Sequence, residues 1–119
     1  MDTPKIFESE YRFCDILWEN EPISSGALVR LAGERLGWKP TTAYTVMKRL
    51  AERGVLVNEK SSVRSLVGRD EVRRAEIDEL VEKRFGGSVP AFLAAFAGSR
   101  RLSEAELEEL RRLIESMRE

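Results

Sequence analysis

The amino-acid sequence predicts a mainly α-helical fold with one small β-hairpin. Two observations support this prediction. Apolar residues recur at intervals of three and four over most of the chain, and between residues 55 and 68 this period gives way to two short strand-like runs. Three helices followed by a hairpin are typical of a winged helix-turn-helix. Further helices follow, so we expect a winged-helix region at 1–69 and a helical region at 70–119.

The first two predicted helices are separated by Glu21-Pro22, which breaks the helical pattern. The first covers Phe7–Asn20, and Ile23 has room for a very short strand after it. The second is capped by Ser24 or Ser25 and ends at Gly37, because glycine adopts the left-handed conformation of a helix stop. The apolar residues of the two helices are Phe7, Tyr11, Cys14, Ile16, Leu17 and Trp18, then Leu28, Leu31, Ala32 and Leu36.

A third helix is predicted to begin at Pro40-Thr41-Thr42 and to end at Gly54. The proline restricts Lys39 to an extended conformation, and a threonine hydroxyl is suited to capping the first N–H groups. The hairpin then has strands at 55–57 and 64–67, joined by a polar turn at 59–63. The inner face of the third helix comprises Ala43, Val46, Met47 and Leu50.

Three helices are predicted after the hairpin. Asp70–Phe85 begins with acidic residues, which suit the positive end of a helix. A short apolar helix at 88–97 follows, and Ser103 with Glu106 forms the capping box of the last one. Their apolar seam either packs on the chain's own core or joins two subunits, and we expect a homodimer. The predicted dimerisation residues are Ile77, Leu80, Val81, Phe92, Phe96, Leu107, Leu110, Ile114 and Met117.

Positive charge is concentrated in the third helix and the hairpin. Residues 39–69 contain 7 Lys/Arg and 2 Asp/Glu, whereas residues 1–38 contain 4 and 7, and residues 70–119 contain 9 and 12. Phosphate responds to the local field of such a segment, so the net charge of -1 does not exclude nucleic acid as a partner.

The polar face of the third helix has the chemistry of DNA recognition. Threonines lie toward its N-terminal end, which enters the major groove first, and cations lie nearer the DNA backbone. A threonine methyl suits the thymine methyl, and an arginine suits guanine. We therefore expect a recognition helix at about 41–53 and a phosphate-binding wing at about 55–68, with Arg69 beside it. The predicted DNA-binding residues are Lys39, Thr41, Thr42, Tyr44, Thr45, Lys48, Arg49, Lys60 and Arg64.

Two other interpretations of the same residues stay open. Threonine, lysine and arginine are common on solvated helix faces, and a threonine-rich face also suits docking of another polypeptide. The chain would then be a winged-helix protein-interaction module without sequence-specific DNA binding. An enzyme is not expected, because the sequence offers no nucleophile paired with a base.

The composition excludes several kinds of site. The chain contains no histidine and one cysteine, Cys14, which leaves neither a His/Cys metal site nor an internal disulfide, and no cofactor is expected. Cys14 lies in an apolar stripe beside Asp15, so we expect a buried thiol rather than a redox switch. Without a leader or an apolar run of bilayer length, a cytoplasmic protein with no membrane insertion is expected.

Five short segments occur in an order that is informative as a set. They are Ile16-Leu17-Trp18, residues 38–50 (WKPTTAYTVMKRL), Arg53-Gly54-Val55-Leu56, Phe85-Gly86-Gly87-Ser88 and residues 102–107 (LSEAEL). Together they resemble the BlaI/MecI penicillinase-repressor family of bacterial winged-helix regulators, from about Ser9 to the C-terminus.

The resemblance implies a transcriptional repressor that binds a palindromic operator as a homodimer through its C-terminal helices. It assigns Thr41, Thr42, Thr45, Lys48 and Arg49 to the DNA-reading helix. In one branch of the family, a membrane sensor protease is linked to cleavage of the repressor at an Asn-Phe bond. The matching pair here is Ala95-Phe96, so alanine replaces the asparagine of the possible proteolytic site. The chain also lacks the C-terminal cysteines of a copper-responsive branch, and 64–68 lacks the usual aromatic residues of the wing.

Overall fold

The computed structural model describes residues 3–118. Contacts divide the chain into two compact units, Met1–Ile77 and Asp78–Glu119. The predicted roles of the two regions are not decided by this division and stay predictions. In chain order the elements are α1 (Glu8–Asn20), β1 (Ile23–Ser24), α2 (Ser25–Leu36), α3 (Pro40–Glu52), β2 (Leu56–Glu59), β3 (Ser62–Ser65), α4 (Arg69–Phe85), α5 (Val89–Ser99) and α6 (Glu104–Ser116).

The first unit contains the helix-turn-helix and a three-stranded antiparallel sheet in the order β1-β3-β2. Val63 in the central strand is fully buried and pairs with Ile23 on one side and Asn58 on the other. The mainly helical class with a small β wing, predicted from sequence, is therefore confirmed.

The buried face of α1 overlaps the predicted apolar stripe but is shifted away from Phe7 and toward Phe13. Phe13 is fully buried and stacks on Trp38, with ring centroids 5.6 Å apart, whereas Phe7 is 51% exposed. Tyr11 and Trp18 are half-buried and pack edge to face at the margin. The prediction missed Phe13 because two adjacent faces of this helix are apolar, and the packing partner selects between them. The predicted Cys14, Ile16 and Leu17 are buried.

Local capping chemistry fixes the two ends of α2 as predicted. The Ser24 hydroxyl accepts a hydrogen bond from the Ala27 N–H at 3.1 Å, and Gly37 adopts the left-handed conformation at φ 71°. The predicted threonine cap of α3 is wrong. Lys39 is the N-cap residue, and its side chain makes no capping hydrogen bond with the described residues. Because Pro40 occupies the first helical position, Thr41 and Thr42 already lie inside the helix.

The hairpin is tighter than the sequence predicts. Its turn contains Lys60 and Ser61, both with positive φ (51° and 66°), and Glu59 pairs with Ser62. Two positive φ values give a turn whose twist matches that of the strands it joins. The predicted turn at 59–63 and second strand at 64–67 were therefore displaced, because β3 takes its register from buried Val63.

The second unit comprises the C-terminal part of α4 with α5 and α6. Gly86 and Gly87, with φ of 57° and 81°, end α4, and Ser88 caps α5 through the Ala91 N–H at 3.1 Å. The predicted capping box of α6 is present, since Ser103 and Glu106 each accept from the other's N–H at 3.1 Å. Among the described residues, no helix combines the length and apolar character needed to span a membrane.

Candidate nucleic-acid interface

Helix α3 has one buried face and one exposed face. Ala43 and Leu50 are fully buried and Met47 is 3% exposed. Thr41, Thr45 and Lys48 lie at intervals of four and three on the opposite side, and a helix places such residues along one stripe. The predicted recognition face is exposed throughout, and it comprises Thr41, Thr42, Tyr44, Thr45, Lys48 and Arg49, with Lys39 immediately before the helix and Glu52 at its end.

Two cations on this face are available to a ligand. Across residues 3–118, neither the Lys48 ammonium nor the Arg49 guanidinium has a hydrogen-bond or ion-pair partner. The Thr45 hydroxyl, in contrast, donates a hydrogen bond to the Thr41 carbonyl oxygen at 2.8 Å. The exposed face therefore offers one threonine, Thr45, whose hydroxyl is held by the backbone, and unpaired positive charge beside it.

The wing is attached directly to the end of α3. The Val55 N–H donates to the Leu50 carbonyl at 2.9 Å, and the Asn58 amide contacts the Met47 sulfur at 3.8 Å. Lys60 at the tip is exposed and has no partner among the described residues. Arg64 is exposed but faces Glu59 at 3.5 Å, which offsets part of its charge. Lys60 is thus the freer of the two predicted wing cations.

Arg69, which was expected to add positive charge beside the wing, is engaged by residues of α1. Its guanidinium donates to Asp15 at 3.1 Å, lies 3.5 Å from Glu19 and covers the ring of Trp18 at 5.5 Å. The Trp18 indole N–H donates in turn to the Val67 carbonyl at 2.9 Å. These contacts join the start of α4 to α1, and they occupy a cation that the sequence alone presents as free.

Arg53 is a residue that the sequence analysis did not single out. It follows α3 directly, and its guanidinium pairs with the carboxylate of Glu10, which is 6% exposed. It also donates to the Lys5 carbonyl at 3.1 Å and lies 4.8 Å from the ring centre of Phe7. A buried carboxylate in an apolar stripe requires a cation nearby, which is the one signal that could have identified this pair from sequence.

The second unit carries an exposed apolar surface. Ile77, at the end of the first unit, is exposed, as are Leu80, Phe96, Leu110, Ile114 and Met117 of the predicted dimerisation set. Phe92 and Leu107 are half-buried, whereas Val81 is 7% exposed. Leu113, which the prediction omitted, is 58% exposed. A groove of about 600 Å³ lies between α5 and α6, and it is lined by Phe96, Leu102, Glu106, Glu109, Leu110, Arg112 and Leu113.

The two residues of the predicted proteolytic site lie in a helix. Ala95 and Phe96 lie within α5, and Phe96 is 38% exposed beneath the Arg100 guanidinium at 5.7 Å.

Cys14 is 1% exposed, and burial raises the pKa of its thiol to about 12, with the Glu10 and Asp15 carboxylates contributing. Within residues 3–118, no cluster of three or more Asp, Glu or Cys side chains could hold a metal ion.

Comparison with known proteins gives a consistent result. A sequence model described as "Penicillinase repressor" matches residues 6–116. The methicillin resistance regulatory protein MecI of Staphylococcus aureus (strain Mu50 / ATCC 700699) is 24% identical over 116 residues, covering 94% of each chain. The proteins of the same name from Mammaliicoccus sciuri and Staphylococcus epidermidis are each 23% identical over 116 residues, with the same coverage.

Proposed function

We propose that this chain, which belongs to the penicillinase repressor family, represses transcription as a homodimer that binds a palindromic DNA operator. The family is one of transcriptional repressors and not of enzymes. The observation that carries the finer proposal is the exposed face of α3, where threonines and unpaired cations stand opposite a fully buried face. One such helix in each of two successive major grooves gives an operator with two-fold symmetry.

The positions of the residues on and beside the exposed face of α3 support two kinds of DNA contact, one to bases and one to phosphates. Thr41, Thr42, Tyr44 and Thr45 lie in the first turns, nearest the bases, while Lys48 and Arg49 lie farther along. Lys39 and Lys60 flank the helix and suit phosphate contacts, as does Arg64 to the extent that Glu59 leaves it free. Phosphate contacts supply much of the affinity and base contacts supply the sequence preference.

The exposed apolar residues of α4 to α6 support the homodimer. A surface that contains Leu113, Ile114 and Met117, each more than half exposed, is unfavourable in water unless a second surface covers it. A second copy of the chain offers the same surface by two-fold symmetry, which is the commonest arrangement of soluble oligomers. The dimer also sets the spacing of the two recognition helices. We place this repressor in the cytoplasm, the compartment in which it would meet its operator.

The test is selection of duplexes from a randomised DNA pool by the full chain, followed by footprinting on the recovered sequence. We expect two half-sites related by two-fold symmetry, about one helical turn or a multiple of it apart. Arg49→Ala should reduce the preference for the recovered sequence, whereas Arg111→Ala, on the polar side of α6, is the matched control. A chain that enriches no sequence, and whose retention on duplex DNA is insensitive to salt, would instead be a protein-interaction module.

A membrane sensor protease as a second partner rests on the family resemblance alone. The bond to examine is Ala95–Phe96, within α5, where cleavage requires local opening of the helix because a protease binds an extended chain. Incubation with the active protease, if a neighbouring gene encodes one, should yield a product that ends at Ala95. Recovery of the intact chain would remove the protease from the partners of this repressor.

A further inference from the structure

The Thr45 side chain is held in one orientation by its own helix. Its hydroxyl donates to the Thr41 carbonyl oxygen one turn earlier, at 2.8 Å. A hydroxyl has a single proton, so this contact uses the only hydrogen-bond donor that Thr45 possesses. The exposed remainder of the side chain consists of the methyl group and the lone pairs of the oxygen.

Thr45 also lies on the outward side of α3. It lies between the buried pair Ala43 and Met47, on the side opposite both of them, and it belongs to the exposed stripe that contains Thr41 and Lys48. A side chain on this stripe faces the floor of a groove into which the helix docks. With the hydroxyl turned back to the backbone, the methyl group is the part presented to a base edge.

We infer that Thr45 is a specificity-determining residue that recognises the 5-methyl group of a thymine in each operator half-site by apolar contact. This inference rests on the proposed function and adds the class of base that the helix selects. The major groove presents the thymine methyl as its one apolar marker, and a fixed methyl without a free donor suits it better than it suits the polar edges of the other bases. The hydrogen bond from the Thr45 hydroxyl to the Thr41 carbonyl oxygen positions the Thr45 methyl group for this contact.

The experiment uses a duplex recovered by selection and copies of it in which each thymine is replaced by deoxyuridine, which removes only the 5-methyl group. For the wild-type chain, substitution at one position in a half-site should weaken binding about fourfold, the effect of one buried carbon group. Thr45→Ser keeps the hydroxyl and removes the methyl, so it should bind thymine and deoxyuridine duplexes equally. Thr45→Val keeps a methyl and removes the hydroxyl, so it should retain the thymine preference.

Thr3→Ser removes the same methyl group from a residue outside the DNA-reading helix, and its discrimination should equal that of the wild type. The inference is overturned if Thr45→Ser still prefers thymine at the sensitive position, or if Thr45→Val loses the thymine preference that the wild type shows. Either result would leave sequence-specific binding, and hence the proposed function, intact. Failure to recover any preferred duplex would overturn both.

Discussion

Arg53, which follows the last residue of α3, forms an ion pair with Glu10 in the first turn of α1. The carboxylate is buried, and its other oxygen accepts a hydrogen bond from the Phe7 N–H at 2.9 Å. One side chain therefore caps α1 and anchors α3, while the Arg53 guanidinium also reaches the Lys5 carbonyl. Arg49, one turn earlier in α3, has no such partner among residues 3–118. Two arginines four residues apart thus differ: Arg53 is engaged by contacts within the fold, and the Arg49 guanidinium is free of partners among the described residues.

Arg53→Ala should lower the free energy of unfolding by about 2 kcal/mol, because the buried Glu10 carboxylate loses its cation and retains one N–H donor. Arg49→Ala is the matched control, and an exposed, unpaired arginine should change stability by less than about 0.5 kcal/mol. Urea denaturation of both variants measures the difference. Equal stabilities would mean that the Arg53–Glu10 pair is not needed to hold α3 in place.

Lys60→Ala should weaken binding to all duplexes alike and reduce the slope of log affinity against log salt by about 1, the loss of one phosphate contact. Arg64→Ala should have a smaller effect on both quantities, because Glu59 lies 3.5 Å from the Arg64 guanidinium. Glu59→Gln, which frees Arg64, should increase affinity at low salt. Titrations at several salt concentrations give the slopes, and an unchanged slope for Lys60→Ala would exclude the wing tip from the interface.

The helix boundaries could be predicted from the sequence because their signals are local. Gly37 ends α2 in the left-handed region, and Ser103 with Glu106 starts α6, in each case through groups within a few residues of one another. The exposed face of α3 could be predicted for the same reason, since it is the side opposite Ala43 and Leu50.

The remaining features depend on contacts between distant segments. Arg53 and Arg69 have carboxylate partners 43 and 54 residues away, so the sequence presents both as free cations. The hairpin register follows from pairing of Val63 with Ile23 in a strand far along the chain, and Lys60-Ser61 lacks the Asn-Gly type of signal that marks such a turn. Sequence patterns therefore predict which face of α3 is exposed better than which charges are free of partners.

Ile114→Asp should convert the proposed homodimer into a monomer, because Ile114 is 54% exposed on the apolar side of α6 and a buried, unpaired carboxylate is costly at an interface. Operator affinity should fall by about 100-fold or more, since the two half-sites would no longer be bound by linked recognition helices. Light scattering measures the mass, and competition binding measures the affinity.

Arg111→Asp provides the control for that substitution, because it places the same carboxylate on the polar side of α6, where Arg111 contacts Glu108 at 3.5 Å. This variant should stay dimeric and bind the operator normally. If Ile114→Asp also kept the dimer mass, the apolar surface of α6 would not be the subunit interface.

Cys14 should make stability fall at high pH. Its thiol pKa is raised to about 12 by burial, above the ordinary value of 9.0, so folding favours the protonated form. The associated stability is complete below about pH 9 and is lost as the pH rises from there toward 12, by about 1.4 kcal/mol per pH unit.

Urea denaturation at pH 7 and pH 10 measures the fall in the free energy of unfolding between the two pH values. This fall should be larger for the wild type than for Cys14→Ala by about 1 kcal/mol. Tyr11, whose pKa burial also raises, is present in both proteins and cancels in this difference. Equal drops in the two proteins would show that the thiol ionises as easily in the folded chain as in the unfolded one, contrary to its burial against Phe13 and Leu17 in the core.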